Sequence, residues 1–336
     1  MRSTIRPMLM ALLVLGAISL VSATAASAGC NGPCSREQLA TGLVHPPAWA
    51  KGLPIHFEAP SAAESPYSRE ELEGNGDPLR YKANGLPVQH APKVYVIFWG
   101  SNVVTTERGR EVRSMLVDLF NGLGGSAYQG ILTQYFDETG RISSTVTPVF
   151  YTDESVGAPQ ALTEPAVERE VTQVVAQRGW TPEQDAQFMV VTAPGSTYEP
   201  GFMGSACAFH TVTSSGSGIS PGIVYDFVPY QGDAPLTGEC LSKGNPSLNP
   251  VYKTSKSASH EYSEAATNPI PSNGSWNSLS GAEIADLCTY HEDFEVFSGA
   301  WAQDLYDDRQ NGCVRADISP PHVYAINDWP TQVGGV

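Results

Sequence analysis

Two apolar patterns alternate along the chain. Val94-Tyr95-Val96-Ile97-Phe98-Trp99 is continuously apolar between Pro92 and Gly100, the mark of a short strand buried on both faces. Residues 107–123 instead place Val112, Met115, Leu116, Leu119 and Phe120 at helical spacing, which predicts one amphipathic helix. The alternation then repeats. Thr147 to Tyr151 reads as a weaker strand, and Pro165 opens a helix with Val167, Val171, Val174 and Val175 on one face. Gln187 to Thr192 reads as a second buried strand that runs into the loop Ala193-Pro194-Gly195. Residues 207–213 and 223–228 are β-like on either side of a Ser/Gly-rich turn, which predicts a hairpin. Helices that repeatedly follow strands predict an α/β or α+β fold, with a central mixed sheet and flanking helices, over a sandwich or a bundle.

The N-terminus breaks this pattern. Arg2 and Arg6 precede an apolar run from Met8 to Val21, and Ala26-Ser27-Ala28 supplies the small residues of a cleavage site, so residues 1–28 are expected to be a signal peptide and the protein secreted. The run is short of the roughly 20 residues that a membrane span needs, and no later stretch qualifies, so no span is predicted. Residues 29–85 are rich in Pro, Ser, Glu and Gly and read as an N-terminal extension or pro-segment, with the α/β domain over 86–336. Gly 32 and Pro 26 in 336 residues make that domain loop-rich.

Export decides how the cysteines are read. Six Cys in an oxidising compartment point to disulfides, which leaves metal binding to His and carboxylates. Local closure suggests Cys30–Cys34, Cys207–Cys240 and Cys288–Cys313, one of fifteen possible pairings. Lys+Arg 19 against Asp+Glu 35 gives a net charge of -16 without a basic block, which excludes nucleic-acid binding through a basic face.

Candidate chemistry gathers in Lys256 to Asn268, KSASHEYSEAATN, stopped by Pro269. Ser257 or Ser259 near its start and Asn-Pro at its end predict a helix. His260 and Glu264 then share one face at metal-ligand spacing, with Glu261 beside them as a candidate general base. The simplest alternative is an exposed acidic helix with solvated charges. Downstream, Glu283 and Asp286 stand three apart, which predicts one helical face or an acid-rich first turn. If a metal binds, Glu283 is the third ligand and Asp286 accepts the free ring N–H of His260, with the two roles exchangeable. His210 is either a core histidine, an oxyanion donor or a further metal ligand, and His291 has similar standing. Neither a phosphate loop nor a dinucleotide fingerprint is present, which disfavours kinases and NAD enzymes.

The word His260-Glu261-x-x-Glu264 resembles the H-E-x-x-H motif of zinc peptidases with Glu in place of the second His. In the thermolysin-like members a glutamate about as far downstream as Glu283 is the third ligand, and an aspartate soon after it orients the first histidine. A wider resemblance runs through Lys93 to Gly100, Phe188 to Gly195, Cys207-Ala208-Phe209-His210, His260 to Pro269 and Glu283-Ile284-Ala285-Asp286-Leu287-Cys288. These words are similar to those of the EXORDIUM, or phosphate-induced, secreted protein family and its bacterial relatives. That resemblance implies a protein acting outside the cell or at its wall.

Two functions are therefore expected in competition. One is a zincin-like secreted metallopeptidase with zinc on His260, Glu264 and Glu283, Glu261 as base and an extracellular protein or peptide as substrate. The other is a non-enzymatic, cell-wall-associated protein with a structural metal site. Calcium is a weaker alternative to zinc, because the cluster is rich in oxygen.

Overall fold

The computed structural model describes residues 78–82, 86–155, 157–159, 161–199, 206–213, 222–233, 249–271, 274–289 and 300–314, with the backbone of 56–57 and 294–297. The signal peptide, Cys30, Cys34, Cys240 and His291 lie outside the described residues. Strands β1 (His56–Phe57), β2 (Arg80–Tyr81), β3 (Lys93–Trp99), β4 (Thr147–Asp153), β5 (Ala186–Thr192), β6 (Phe209–Val212) and β7 (Val224–Val228) precede the long functional helix. After it come β8 (Trp276–Asn277), β9 (Phe294–Phe297), β10 (Ala300–Ala302), β11 (Leu305–Asp307) and β12 (Gly312–Val314). The helices are α1 (Asn102–Thr105), α2 (Glu107–Leu123), α3 (Ala127–Leu132), α4 (Glu164–Arg178) and α5 (Pro250–Thr267).

Six strands form one mixed sheet in the order β1-β6-β7-β5-β3-β4. β4, β3, β5 and β7 are parallel, whereas β6 is antiparallel to β7 and to β1. The predicted α/β fold with a mixed sheet is present. Long helices separate the first three parallel strands, as parallel pairing requires, because a tight turn cannot bring the chain back to the same end of a sheet. The expected 29–85 segment contributes to this fold: β1 adds to the sheet edge, β2 pairs with β8, and Leu79 and Tyr81 are buried in the core.

The sheet separates two cores. On one face, Ile97, Phe188, Val190, Tyr225 and Phe227 pack against Val167, Val171 and Val174 of α4. On the other, Val94, Val96, Phe98, Met189 and Val228 pack with Leu116, Leu119 and Phe120 of α2 and with Ala258, Tyr262 and Ala266 of α5. Each such fully buried side chain contributes about 1.5–3 kcal/mol relative to exposure. Helix ends are chemically marked. Thr106 accepts the amide of Gly109 at 3.0 Å at the start of α2, and Gly179 closes α4 with φ 63, a left-handed conformation that glycine adopts without steric cost. Gly109 also allows α1 to approach, since a Cβ there would lie 2.1 Å from the Asn102 carbonyl oxygen.

α5 begins six residues earlier than Lys256. Asn249 caps it by accepting the Val251 amide at 3.1 Å, and Pro250 takes the first turn, where its missing N–H costs nothing. Its surroundings are more informative than its start. Although α5 carries Lys253, Lys256, His260, Glu261 and Glu264, every residue from Lys253 to Thr267 is buried, because the helix is covered by sheet, by α2 and α3, and by β10. A helix buried all round is normally apolar all round. The solvated-helix alternative is excluded, and these charges need internal partners.

Candidate metal centre

The centre lies between α5 and the face of β6 and β7 that α5 covers. His210 on β6 stands opposite Asp226 on β7 in the strand register, so both side chains leave the same face of the sheet. His260, Glu261 and Glu264 descend from α5, and the segment 283–288 closes the remaining side. His210, Asp226, His260, Glu261, Glu264 and Glu283 are 0% exposed and Asp286 is 8% exposed.

Two groups of three emerge at metal-ligand spacing, and they share Glu264. The first is His260, Glu264 and Asp286, and the second is His210, Glu261 and Glu264, each with ligand atoms within 4.8 Å of one another. In the first, His260 Nε2 is 3.1 Å from Glu264 Oε1 and 3.6 Å from Asp286 Oδ1. In the second, His210 Nδ1 is 3.2 Å from Glu261 Oε2 and 3.6 Å from Glu264 Oε2. Ligand atoms about 2.1 Å from a tetrahedral zinc stand about 3.4 Å apart, the scale of these separations.

The far nitrogen of each ring shows what the near one offers. His260 Nδ1 lies 3.0 Å from Gln303 Oε1, and Gln303 Nε2 donates to the Ala285 carbonyl at 2.5 Å. The amide is thereby oriented with its oxygen toward the ring, so Nδ1 carries the proton and Nε2, in a neutral imidazole, turns a lone pair toward Glu264 and Asp286. His210 repeats the arrangement with its nitrogens exchanged. Its Nε2 is 3.2 Å from the Asn268 carbonyl oxygen, which leaves the Nδ1 lone pair facing Glu261 and Glu264. Lone pairs opposed to carboxylates repel unless a cation sits between them, either a metal ion or a second ring proton. The donor set of imidazole and carboxylate suits zinc.

The expected ligands are thus brought together with one difference in assignment. Asp286 joins His260 and Glu264, the exchanged form of the two roles, and the far nitrogen of His260 is met by Gln303. Glu283 accepts from the Asn268 amide and lies 3.7 Å from His210 Nε2. Glu283 and Asp286 do not share an α-helical face, since only Asp286–Cys288 forms a single 3-10 turn. That turn is held in two ways. The Asp286 amide donates to Glu264 Oε1 at 3.1 Å, and Cys288 is disulfide-bonded to Cys313 on β12, as local closure suggested. Cys207, three residues before His210, is also disulfide-bonded.

Asp226, Asn268 and Gln303 are the members that the sequence reading missed. Asp226 was detectable as one acid inside the apolar word Ile223 to Val228. Both of its carboxylate oxygens are buried without a hydrogen-bond partner, and burial, with the Glu264 charge nearby, pushes its carboxyl up to about 8. Asn268 and Gln303 are ordinary loop amides whose roles exist only in the folded arrangement. Comparison with known proteins adds no relative: the chain matches no protein-family profile, no curated protein and no solved structure.

Proposed function

We propose that the protein is a secreted metal-dependent hydrolase that holds zinc on His260, Glu264 and Asp286 and cleaves peptide bonds. The observation that carries the reading is the pair of histidine ring nitrogens turned toward buried carboxylates, with the far nitrogen of each ring met by a carbonyl or amide oxygen. Zinc bound there would supply a Lewis acid and an acidified water. Glu261 lies beside the ligand face and against His210 at 3.2 Å, placed to hold a proton between the water and the leaving amine. His210 stands beside that carboxylate and is held from its far side by the Asn268 carbonyl at 3.2 Å. Gln303 holds His260 in the tautomer that binds metal. Peptide bonds are chosen as substrate from the likeness of the H-E-x-x-E word to zinc peptidases, and secretion from the N-terminal pattern. Kinship to the EXORDIUM family belongs to the same proposal.

The test is a screen of the zinc-loaded, full-length mature protein against a mixed peptide library. Cleavage that stops on chelation, returns with zinc and is missing in Glu264→Ala is expected. Stoichiometric zinc without any cleavage would overturn the hydrolase and leave the second reading, a structural metal in a non-enzymatic extracellular protein. The near-complete burial of the seven side chains favours that reading, since a substrate must reach a catalytic ion. Chelation would then lower the melting temperature and abolish no turnover.

A further inference from the structure

The two ligand groups point to two ions. We propose that the centre is dinuclear, with a second divalent ion on His210, Glu261 and Glu264, and with Glu264 bridging it to the ion on His260, Glu264 and Asp286. The inference rests on the metal reading above and extends it to a site that the H-E-x-x-E word does not describe, since His210 comes from the sheet.

Three observations carry it. The first is the division of Glu264. Its Oε1 approaches His260 and the amide of Asp286, while its Oε2 approaches His210, so one carboxylate faces both histidines with different oxygens, as a bridging ligand does. The second is that His210 repeats the arrangement of His260. Its Nε2 meets the Asn268 carbonyl, and its Nδ1 faces two carboxylates, Glu261 and Glu264, as His260 Nε2 faces Glu264 and Asp286; in the neutral ring with its proton on Nε2, that nitrogen offers a lone pair to a cation. The third is Asp226, fully buried, with neither carboxylate oxygen hydrogen-bonded, beside His210 on the sheet face that α5 covers. An acid in that state points to a cation on the His210 side of the centre.

Charge agrees with the count. Asp226, Glu261, Glu264, Glu283 and Asp286 are five buried or nearly buried acids around two histidines. If all are ionised, and the Lys82 ammonium that interacts with Glu283 is counted, one divalent ion leaves two negative charges in a region of low dielectric, and two ions leave none. Lys253 and Lys256 are also buried on α5, but they precede Glu261 by about 12 and 8 Å along the helix axis. In the dinuclear arrangement Glu261 would be a ligand in place of the proton carrier assigned above, and two ions would supply charge stabilisation to substrate oxygens.

Metal content of the full-length mature protein decides the matter. The protein is stripped with chelator, reloaded with zinc chloride, desalted and analysed by elemental mass spectrometry. Two zinc per chain are expected, falling to one in both His210→Ala and His260→Ala and by more than one in Glu264→Ala. His210→Gln, which keeps most of the volume and a hydrogen-bonding group, is run beside His210→Ala, and variants are read only where circular dichroism matches the parent. Cobalt(II) loading supplies a second measurement, because a carboxylate bridge couples the two spins. Magnetic coupling that disappears in the His210 variants would support the bridge. One zinc in the parent would overturn the second ion and leave the mononuclear reading standing. Two zinc retained in the His210 variants would also overturn it, by placing the second ion elsewhere. No zinc in the parent would remove both the inference and the function on which it rests.

Discussion

The central sheet carries buried acids on both faces, and the two faces treat them differently. On the α4 face, Glu170 lies against Asp153 at the end of β4, with 4% and 2% exposure. Burial and the neighbouring Asp153 carboxylate push the Glu170 carboxyl up to about 8, so one proton held by the pair removes the conflict. On the α5 face, acids alternate with two histidines whose far nitrogens are hydrogen-bonded to Gln303 and Asn268. Protons alone could neutralise the first cluster. The second is organised around histidine ring nitrogens turned toward carboxylates. Burial of acids is thus weak evidence for a metal, and the orientation of the histidines is the informative difference: among the described residues, both potential metal groups lie on the α5 face.

Chelation should separate the faces most. Metal that binds the folded chain stabilises it by about 4 kcal/mol at a free concentration 1,000 times Kd. Removing zinc should therefore lower the melting temperature of the parent and leave Glu264→Ala unmoved, as calorimetry with and without chelator would show. Equal responses of the two proteins would put the α5 cluster in the same class as the Asp153–Glu170 pair.

The next effect concerns the anchor of Asp286. The Cys288–Cys313 disulfide closes a separation of 25 residues and contributes about 3 kcal/mol through restriction of the unfolded chain. Cys313→Ser should cost that much stability and also weaken zinc binding, because the 3-10 turn that presents Asp286 loses its tether. A loss of stability with zinc affinity unchanged, by denaturation and calorimetric titration, would show that Glu264 alone positions the turn.

A smaller effect isolates the orientation of His260. Gln303→Leu removes the acceptor at Nδ1 while keeping side-chain bulk, and outer partners of this kind typically carry 10–100-fold in metal affinity, about 1.4–2.7 kcal/mol. Weaker zinc binding with little change in the melting temperature of the metal-free protein is expected. Unchanged affinity would mean that the tautomer of His260 is set elsewhere.

The same contrast explains what could be read in advance. β3, α2, α4 and β5 were legible because each buries an apolar run or stripe of the right period, and His260, Glu261 and Glu264 were legible because helical spacing alone relates them. The burial of α5 was not, since its composition is that of a solvated helix and only the packing of α2, α3 and β10 around it decides otherwise. The choice between Glu283 and Asp286 was hidden for a related reason. The spacing suggested a helix, while the chain forms one 3-10 turn whose direction depends on the Glu264 contact and the disulfide. His210 could be named but not placed, because its role requires pairing across the sheet with the strand that carries Asp226.

The last effect is on the α4 face, and it has the opposite sign to chelation. A carboxyl whose value rises from 4.5 to about 8 on folding binds a proton more tightly in the folded chain, so its contribution to stability is full below pH 4.5 and is lost as pH rises through about 8. Glu170→Gln, neutral at every pH and nearly isosteric, removes that slope. The variant should match the parent near pH 4.5 and be the more stable of the two above pH 8, whether or not chelator is present. Urea denaturation across this range would measure it. A variant less stable than the parent at high pH would mean that the Glu170 charge is matched by a cation after all, and the difference between the two faces would shrink to the presence of histidine.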